Sequence, residues 1–166
     1  MKWITALWGL ILLTQFSIAA PVIHRAFEPA RASLDISLKK QSFTLYLSLD
    51  SEAVKVLAQG EPGSQIVESL SETPELFIPD SSAQCTLEAS QFMAETAEAS
   101  GLSSAGQEVN GYMAFLCEKP AELDTIKVML ENALPGLREI SVWVVTDNWQ
   151  SKQVLRKGDQ LVKMRE

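Results

Sequence analysis

The chain has 166 residues, of which 46% are hydrophobic, and a formal net charge of −7. This length is typical of one domain and is sufficient to bury a substantial core. An acidic domain is a poor ligand for nucleic acid or an anionic membrane surface, so neither is an expected partner.

Residues 1–19 have the pattern of a secretory signal peptide. A single cation, Lys2, precedes the apolar run 3–13, and small residues follow up to Ala19. The run is shorter than the ~20 residues that span a bilayer, so a membrane anchor is the weaker interpretation. We expect cleavage after Ala19, export of the protein, and a mature domain over residues 20–166 with no membrane span. Cleavage removes Lys2 and no acid, which changes the charge from −7 to −8.

The clearest pattern in the mature chain predicts a β-hairpin over residues 33–49. Apolar and polar residues alternate on both sides of the short break "KKQS". A period of two around a polar break is typical of two antiparallel strands with one buried face. The side chains expected on that face are Leu34, Ile36, Leu38, Phe43, Leu45 and Leu47. The following stretch, up to "GEPGS", predicts a loop.

The middle of the chain predicts a helix, a strand and a loop. Apolar residues at helical spacing predict a helix over 65–72, with Ser64 as its N-cap and Pro74 beyond its end. The sequence "AQCTLEASQFM" predicts a strand that begins near Cys85. Residues 94–108 are small and polar and predict a mobile loop.

The C-terminal part of the sequence predicts mostly strands. The sequences "VNGYMAFLC" and "ELDTIKVML" have strand-like patterns, and "ENALPGL" predicts a turn or one helical turn broken at Pro135. The sequences "EISVWVVT", "KQVL" and "QLVKM" predict a closing meander. The expected fold class is α+β: one domain, mainly antiparallel β, with one or two short helices.

Cys85 and Cys117 are the only cysteines. An even number in an exported chain favours a disulfide. The bridge would close a loop of 33 residues (117 − 85 + 1), for which the chain-entropy model gives roughly 3.5–4 kcal/mol. A redox pair and a thiolate metal site are the alternatives. The spacing is not Cys-x-x-Cys and no histidine is near either cysteine in sequence, so the bridge is favoured.

The residues that catalysis needs are scarce, and we expect the protein not to be an enzyme. His24 is the sole histidine and lies close to the start of the mature chain, so a Ser–His–Asp set is not expected. No glycine-rich phosphate loop precedes a helix. A solvated terminal histidine is favoured over a metal ligand at His24, because chain termini are usually poorly ordered.

Two further pairs of residues have a functional and a structural interpretation. Glu95 and Glu98, three residues apart, would bind a cation on a shared helical face, but solvation of a loop is favoured. Trp143 is expected in core or turn packing. For Trp149, packing and a partner surface are equally consistent with the sequence.

Two longer motifs indicate a family. The sequences "LFIPDSSAQCTL" and "FLCEKPAELDTIKVML", in the order hairpin, helix, first cysteine, variable loop, second cysteine, resemble the ZrgA-type periplasmic zinc-uptake proteins. The resemblance covers roughly residues 22–164. It implies that Cys85 and Cys117 are matched positions of the family. It also implies a periplasmic location and a role beside a component of an ABC-type zinc importer.

Zinc capture in this family is thought to depend on histidines at the mature N-terminus and in the loop between the cysteines. Here that loop has Glu95, Glu98 and Glu108, and His24 is the one imidazole. One imidazole with carboxylates makes a weak zinc site. We therefore expect a histidine-depleted member, in which His24, Glu95 and Glu98 bind Zn²⁺ weakly or not at all. The alternative is a secreted module that presents the same β scaffold to a protein partner.

Overall fold

The computed structural model describes residues 30–73, 75–96 and 106–165. The secretory signal expected over residues 1–19 lies outside these ranges. Within them, the chain forms the following elements: β1 (Ala30–Lys39), β2 (Ser42–Leu49), α1 (Ser51–Ala58), α2 (Gly63–Glu72), β3 (Phe77–Pro79), β4 (Cys85–Thr96), β5 (Gln107–Cys117), β6 (Thr125–Val128), α3 (Leu130–Ala133), β7 (Leu137–Val145), β8 (Gln150–Arg156) and β9 (Leu161–Lys163). Two short 3-10 helices lie at Ser81–Ala83 and Pro120–Glu122.

Six strands form the main sheet, in the order β4-β5-β2-β1-β7-β8. Each neighbouring pair is antiparallel except β1 and β7, which are parallel. A smaller antiparallel sheet has the order β3-β6-β9. The expected fold class, α+β with mainly antiparallel strands and short helices, is confirmed.

The predicted hairpin is β1 and β2. Its register places Leu34 opposite Leu47 and Ile36 opposite Leu45, and all four side chains are buried. Because side chains alternate between the two faces of a strand, one face of this hairpin is apolar throughout. Leu38, at the end of that face, is only partly buried.

One core lies between the main sheet and the other elements. The helices α1 and α2 pack against β1, β4 and β5. Buried side chains from both sheets and the three helices belong to the same apolar cluster, which includes Leu34, Leu45, Val54, Leu70, Ile126, Leu130, Val142 and Val162. The opposite face of the main sheet has no such cover within the described residues, and several of its large side chains are exposed.

The loop predicted between the hairpin and "GEPGS" is wrong, because α1 forms there. Asp50 caps this helix: the backbone N–H of Ala53 donates to Asp50 Oδ1 at 2.8 Å. The helix buries Ala53 and Val54 and ends before Gln59, which has a left-handed backbone. The glycine and proline signals belong only to the turn after the helix.

The second helix is confirmed, with a different start. It begins at Gly63 and not at Gln65, and Pro62 occupies the N-cap position predicted for Ser64. The N–H of Gly63 donates to Gln107 Oε1 on β5 at 2.6 Å. A side chain distant in sequence therefore satisfies the N-terminus of this helix, which a local capping pattern does not reveal.

The loop predicted over 94–108 is wrong at both of its ends. β4 continues to Thr96, and β5 begins at Gln107 and pairs with it. Most residues of β4 are exposed because it is an edge strand, so its sequence lacks the apolar alternation of a buried strand. Backbone pairing with β5 holds it in the sheet.

The C-terminal strands differ in two respects from the predicted meander. β7 and β8 form the expected antiparallel pair, but β9 joins β6 in the smaller sheet. The strand expected over "ELDTIKVML" is limited to β6, and Leu130 begins α3. Within the described ranges, no helix has both the length and the apolar character needed to cross a membrane.

Candidate functional site

The two cysteines form a disulfide, as predicted. Cys85 is the first residue of β4, Cys117 is the last residue of β5, and the two are direct partners in the strand register. Their Cα atoms lie 3.9 Å apart. Because each sulfur is bonded to the other, neither is a thiolate ligand for a metal while the bridge is intact.

Next to the disulfide, backbone hydrogen bonds join the segment before Cys85 to the segment after Cys117. The N–H of Glu118 donates to the carbonyl of Gln84 (3.2 Å), and that of Lys119 to the carbonyl of Ala83 (3.0 Å). Asp80 caps this turn by accepting from the backbone N–H of Ser82 at 3.0 Å. That bond, together with one from the Ser82 hydroxyl, holds the pKa of Asp80 below its ordinary value of 3.8.

The metal ligands expected from the sequence are only partly described. His24 and Glu98 lie outside the described residues. Glu95 lies near the end of β4, in an exposed position directly opposite Glu108 of β5. The helical face on which Glu95 and Glu98 were considered as a pair does not form at Glu95, because this residue is in a strand.

The Glu95–Glu108 pair is the candidate cation position that the structure adds. Two carboxylates directly opposite each other on neighbouring strands repel, and a cation relieves that repulsion. Within residues 30–73, 75–96 and 106–165, no three His, Cys, Asp or Glu side chains form a group suited to a metal ion. A pair of carboxylates attracts cations but lacks the four nitrogen and sulfur donors of a tight zinc site.

The uncovered face of the main sheet has a row of aromatic and charged side chains. Consecutive members of the row are direct partners in the register of neighbouring strands. In sheet order they are Gln91, Tyr112, Tyr46, Asp35, Trp143 and Lys152. We refer to these six residues as the open-face row.

Contacts between neighbours stabilise both halves of the open-face row. The rings of Tyr46 and Tyr112 have centroids 5.1 Å apart. The Nζ atom of Lys152 lies 4.8 Å from the centre of the Trp143 ring, which is a cation–π contact. Tyr46 is 52% exposed and Trp143 is 47% exposed, so the rings remain accessible.

The expectation for Trp143 is therefore wrong. Its place between the buried residues Val142 and Val144 puts it on the opposite face of β7, but no described element covers that face. Trp149, by contrast, is partly buried and packs against the core. Its backbone N–H donates to the Thr146 hydroxyl at 3.0 Å, which fixes the turn between β7 and β8.

An open cleft of about 690 Å³ lies beside Trp149. Lys40 and Arg165 are the cations in its lining, and Asp147 is the carboxylate. Arg165 is engaged in an ion pair with Asp124 at 2.6 Å, and its Nη2 donates to the carbonyl of Ala121. The described residues of its lining include no histidine or cysteine, so they do not offer the ligands that zinc prefers.

Comparison with known proteins gives one family. The family model described as "ZrgA family zinc uptake protein" matches residues 28–164. The match includes both cysteines, Glu95 and Glu98, whereas His24 lies before its start. A search of curated proteins finds no significant match.

Proposed function

The chain belongs to the ZrgA family of zinc uptake proteins, and from this premise we propose that it serves zinc uptake as an exported accessory protein with weak zinc affinity of its own. The disulfide is the observation that carries this proposal. It takes both thiols away from metal binding, and the whole chain has a single histidine. Tight zinc sites need about four donors, chiefly Cys and His.

The remaining donors support only a weak site. His24 supplies the one imidazole, and Glu95 and Glu98 supply carboxylates. Glu108 lies opposite Glu95 and adds to the negative potential at this end of the sheet. Carboxylates bind zinc with poor selectivity over Ca²⁺ and Mg²⁺, because these hard cations also prefer oxygen ligands.

From the same premise we also propose a location, a partner and the lack of enzymatic activity. The protein acts in the periplasm, beside a component of an ABC-type zinc importer, and catalyses no reaction. The family match and the signal-like residues 1–19 support export, and the scarcity of histidine supports a non-catalytic role.

Calorimetric titration of the oxidised mature chain with zinc chloride tests the proposal. We expect no submicromolar site, and at most binding of roughly tens of micromolar or weaker, as one imidazole and carboxylates imply. His24→Ala abolishes this weak binding. The matched control Glu122→Gln, at an exposed carboxylate outside the proposed ligands, leaves it unchanged. A stoichiometric nanomolar site in the oxidised protein would refute the proposal.

A second candidate function is a secreted module that uses the same β scaffold to bind a protein partner. The exposed aromatic rings of the open-face row favour it, because Tyr and Trp are enriched where proteins meet. A photo-cross-linking amino acid placed at position 143 tests this function. If the open-face row binds a protein partner, this amino acid should form a cross-link to that partner in cells. The same residue in place of Leu161, exposed on the smaller sheet, is the control.

A further inference from the structure

We propose that the uncovered face of the main sheet is a dimer interface and that its occupant is a second copy of this chain. The inference deepens the second candidate function, and it stands whether or not the chain binds zinc. Its basis is the register of the six strands, which fixes the neighbours of every side chain on this face. Three properties of the face support it: its area, its charge pattern and its self-complementarity.

The area is what a stable dimer needs. Six strands about 4.8 Å apart and about eight residues long, at about 3.3 Å per residue, give a face of about 29 by 26 Å. This is about 750 Å², and a standard interface buries about 800 Å² on each partner. Besides the two tyrosine rings and the tryptophan ring of the open-face row, four large apolar side chains are exposed on this face: Met93, Leu116, Val145 and Val154.

The two edges of the face carry opposite charges. The β4 edge has Glu95, and the β8 edge has Lys152 and Arg156, all exposed. A dimer that places the β4 edge of one copy over the β8 edge of the other brings opposite charges together. Such complementarity selects one relative orientation of the partners.

One two-fold axis satisfies this requirement. The axis lies in the interface, parallel to the strands and between β1 and β2, the two central strands. It places each residue of one copy opposite a residue of the same row in the second copy. The strand β4 then faces β8, β5 faces β7, and β2 faces β1. An axis along the rows would instead place each strand over its own copy, so that each charged edge would face the same edge of the second copy. Closed two-fold dimers with this self-complementary kind of interface are the commonest homo-oligomers.

The axis pairs chemically matched side chains in the open-face row. Tyr112 faces Trp143 of the second copy. Tyr46 faces Asp35 of the second copy, and the hydroxyl group of Tyr46 can donate a hydrogen bond to that carboxylate. The aromatic rings therefore meet each other, and the charged member of the row meets a hydrogen-bond donor.

The neighbouring rows are matched in the same way. On one side, Met93 faces Val154 of the second copy. One row further, Glu95 faces Arg156 of the second copy, and Glu108 faces Glu139. The last pair is a mismatch, which the ion pair between Glu139 and Arg31 (3.5 Å) reduces by neutralising Glu139.

Sedimentation velocity of the oxidised mature chain, from low micromolar to several hundred micromolar, tests the dimer. We expect a monomer–dimer equilibrium in the presence of a chelator, with no zinc added. Trp143→Ala raises the dissociation constant at least about tenfold. The matched control Leu161→Ala, at an exposed apolar residue of the smaller sheet, leaves it unchanged. A monomer at every concentration, or a dimer that survives Trp143→Ala, would overturn the inference.

A charge swap tests the orientation. Glu95→Arg and Arg156→Glu each weaken the dimer, because each brings two like charges together. The double variant restores it, since Arg at position 95 then faces Glu at position 156 of the second copy. A double variant weaker than both single variants would overturn the proposed axis. Because zinc is absent from this readout, the dimer and the zinc proposal succeed or fail separately.

Discussion

The two faces of the six-stranded sheet are built from alternate residues of the same strands, yet their chemistry differs completely. On the core face, Phe43 and Leu45 are almost fully buried. On the open face, their neighbour Tyr46 is about half exposed, as is Trp143 on β7. Because hydrophobic stabilisation follows the area removed from water, the core face stabilises the monomer, and the open face is free to contact a partner.

The largest expected difference between the faces is at one aromatic residue of each. Phe43 is buried and its ring stacks on that of Phe115, with centroids 4.6 Å apart. Phe43→Ala should lower the free energy of unfolding in urea by about 3–5 kcal/mol, because it leaves a cavity. The control Tyr46→Ala, on the open face of the same strand, should cost under about 1 kcal/mol. Equal losses for the two variants would break the comparison.

The next effect is that of the disulfide, which ties the edge strand β4 to β5 where β4 itself buries little. Replacement of Cys85 and Cys117 together by Ala should cost about 2–4 kcal/mol, chiefly because the unfolded chain gains freedom. Urea unfolding of this variant and of the reduced parent protein measures the loss. If neither is less stable than the oxidised protein, backbone pairing alone holds β4 in the sheet.

A smaller difference is expected at adjacent residues of β5. A Cβ atom at Gly111 would lie on the core face, 2.5 Å from the ring of Phe92. Gly111→Ala should therefore cost about 1–3 kcal/mol by overpacking. Asn110 is adjacent and its side chain lies on the open face, so Asn110→Ala should change the unfolding free energy by about 0.5 kcal/mol or less. A neutral Gly111→Ala would show that Phe92 moves aside without loss.

The smallest effect concerns Asp80, which lies in the turn beside the disulfide. Hydrogen bonds from Ser82 lower its pKa, so the stability that it contributes is fully present above its ordinary pKa of 3.8 and is lost as pH falls through the lowered value. Asp80→Asn should be less stable than the parent at about pH 5 or above, and the difference should shrink in more acidic solution. A difference that is constant with pH would contradict this assignment.

Much of the core face can be predicted from the sequence, because patterns within short segments of the chain determine it. Alternation in the segment 33–49 predicts the hairpin and its buried side chains, and an even cysteine count predicts the bridge. The helix α1 was missed, since it is only eight residues long and its stabilising contacts are with distant strands. The sequence does not predict the edge strand β4 beyond Met93, because an exposed strand has no apolar period.

The open-face row does not follow from the sequence, because its members become neighbours only through the strand order. The parallel pairing of β1 with β7 places Trp143 beside Asp35, 108 positions away (143 − 35). Alternation shows that Trp143 is opposite the buried face, but it does not show whether another element covers it. The absence of a local signal also explains why the sequence pointed to Glu95 and His24 and not to this surface.

Hydroxyl-radical footprinting tests the difference between the two faces most directly. At a concentration where sedimentation finds monomer, we expect Tyr46 and Trp143 to be oxidised rapidly, and Phe43 and Phe115 to be protected. The ratio of these rates, after each is divided by the intrinsic reactivity of its side-chain type, reports solvent access on the two faces within a single sample. Similar oxidation of all four side chains, or protection of Tyr46 and Trp143 in the monomer, would contradict the account of one closed and one open face.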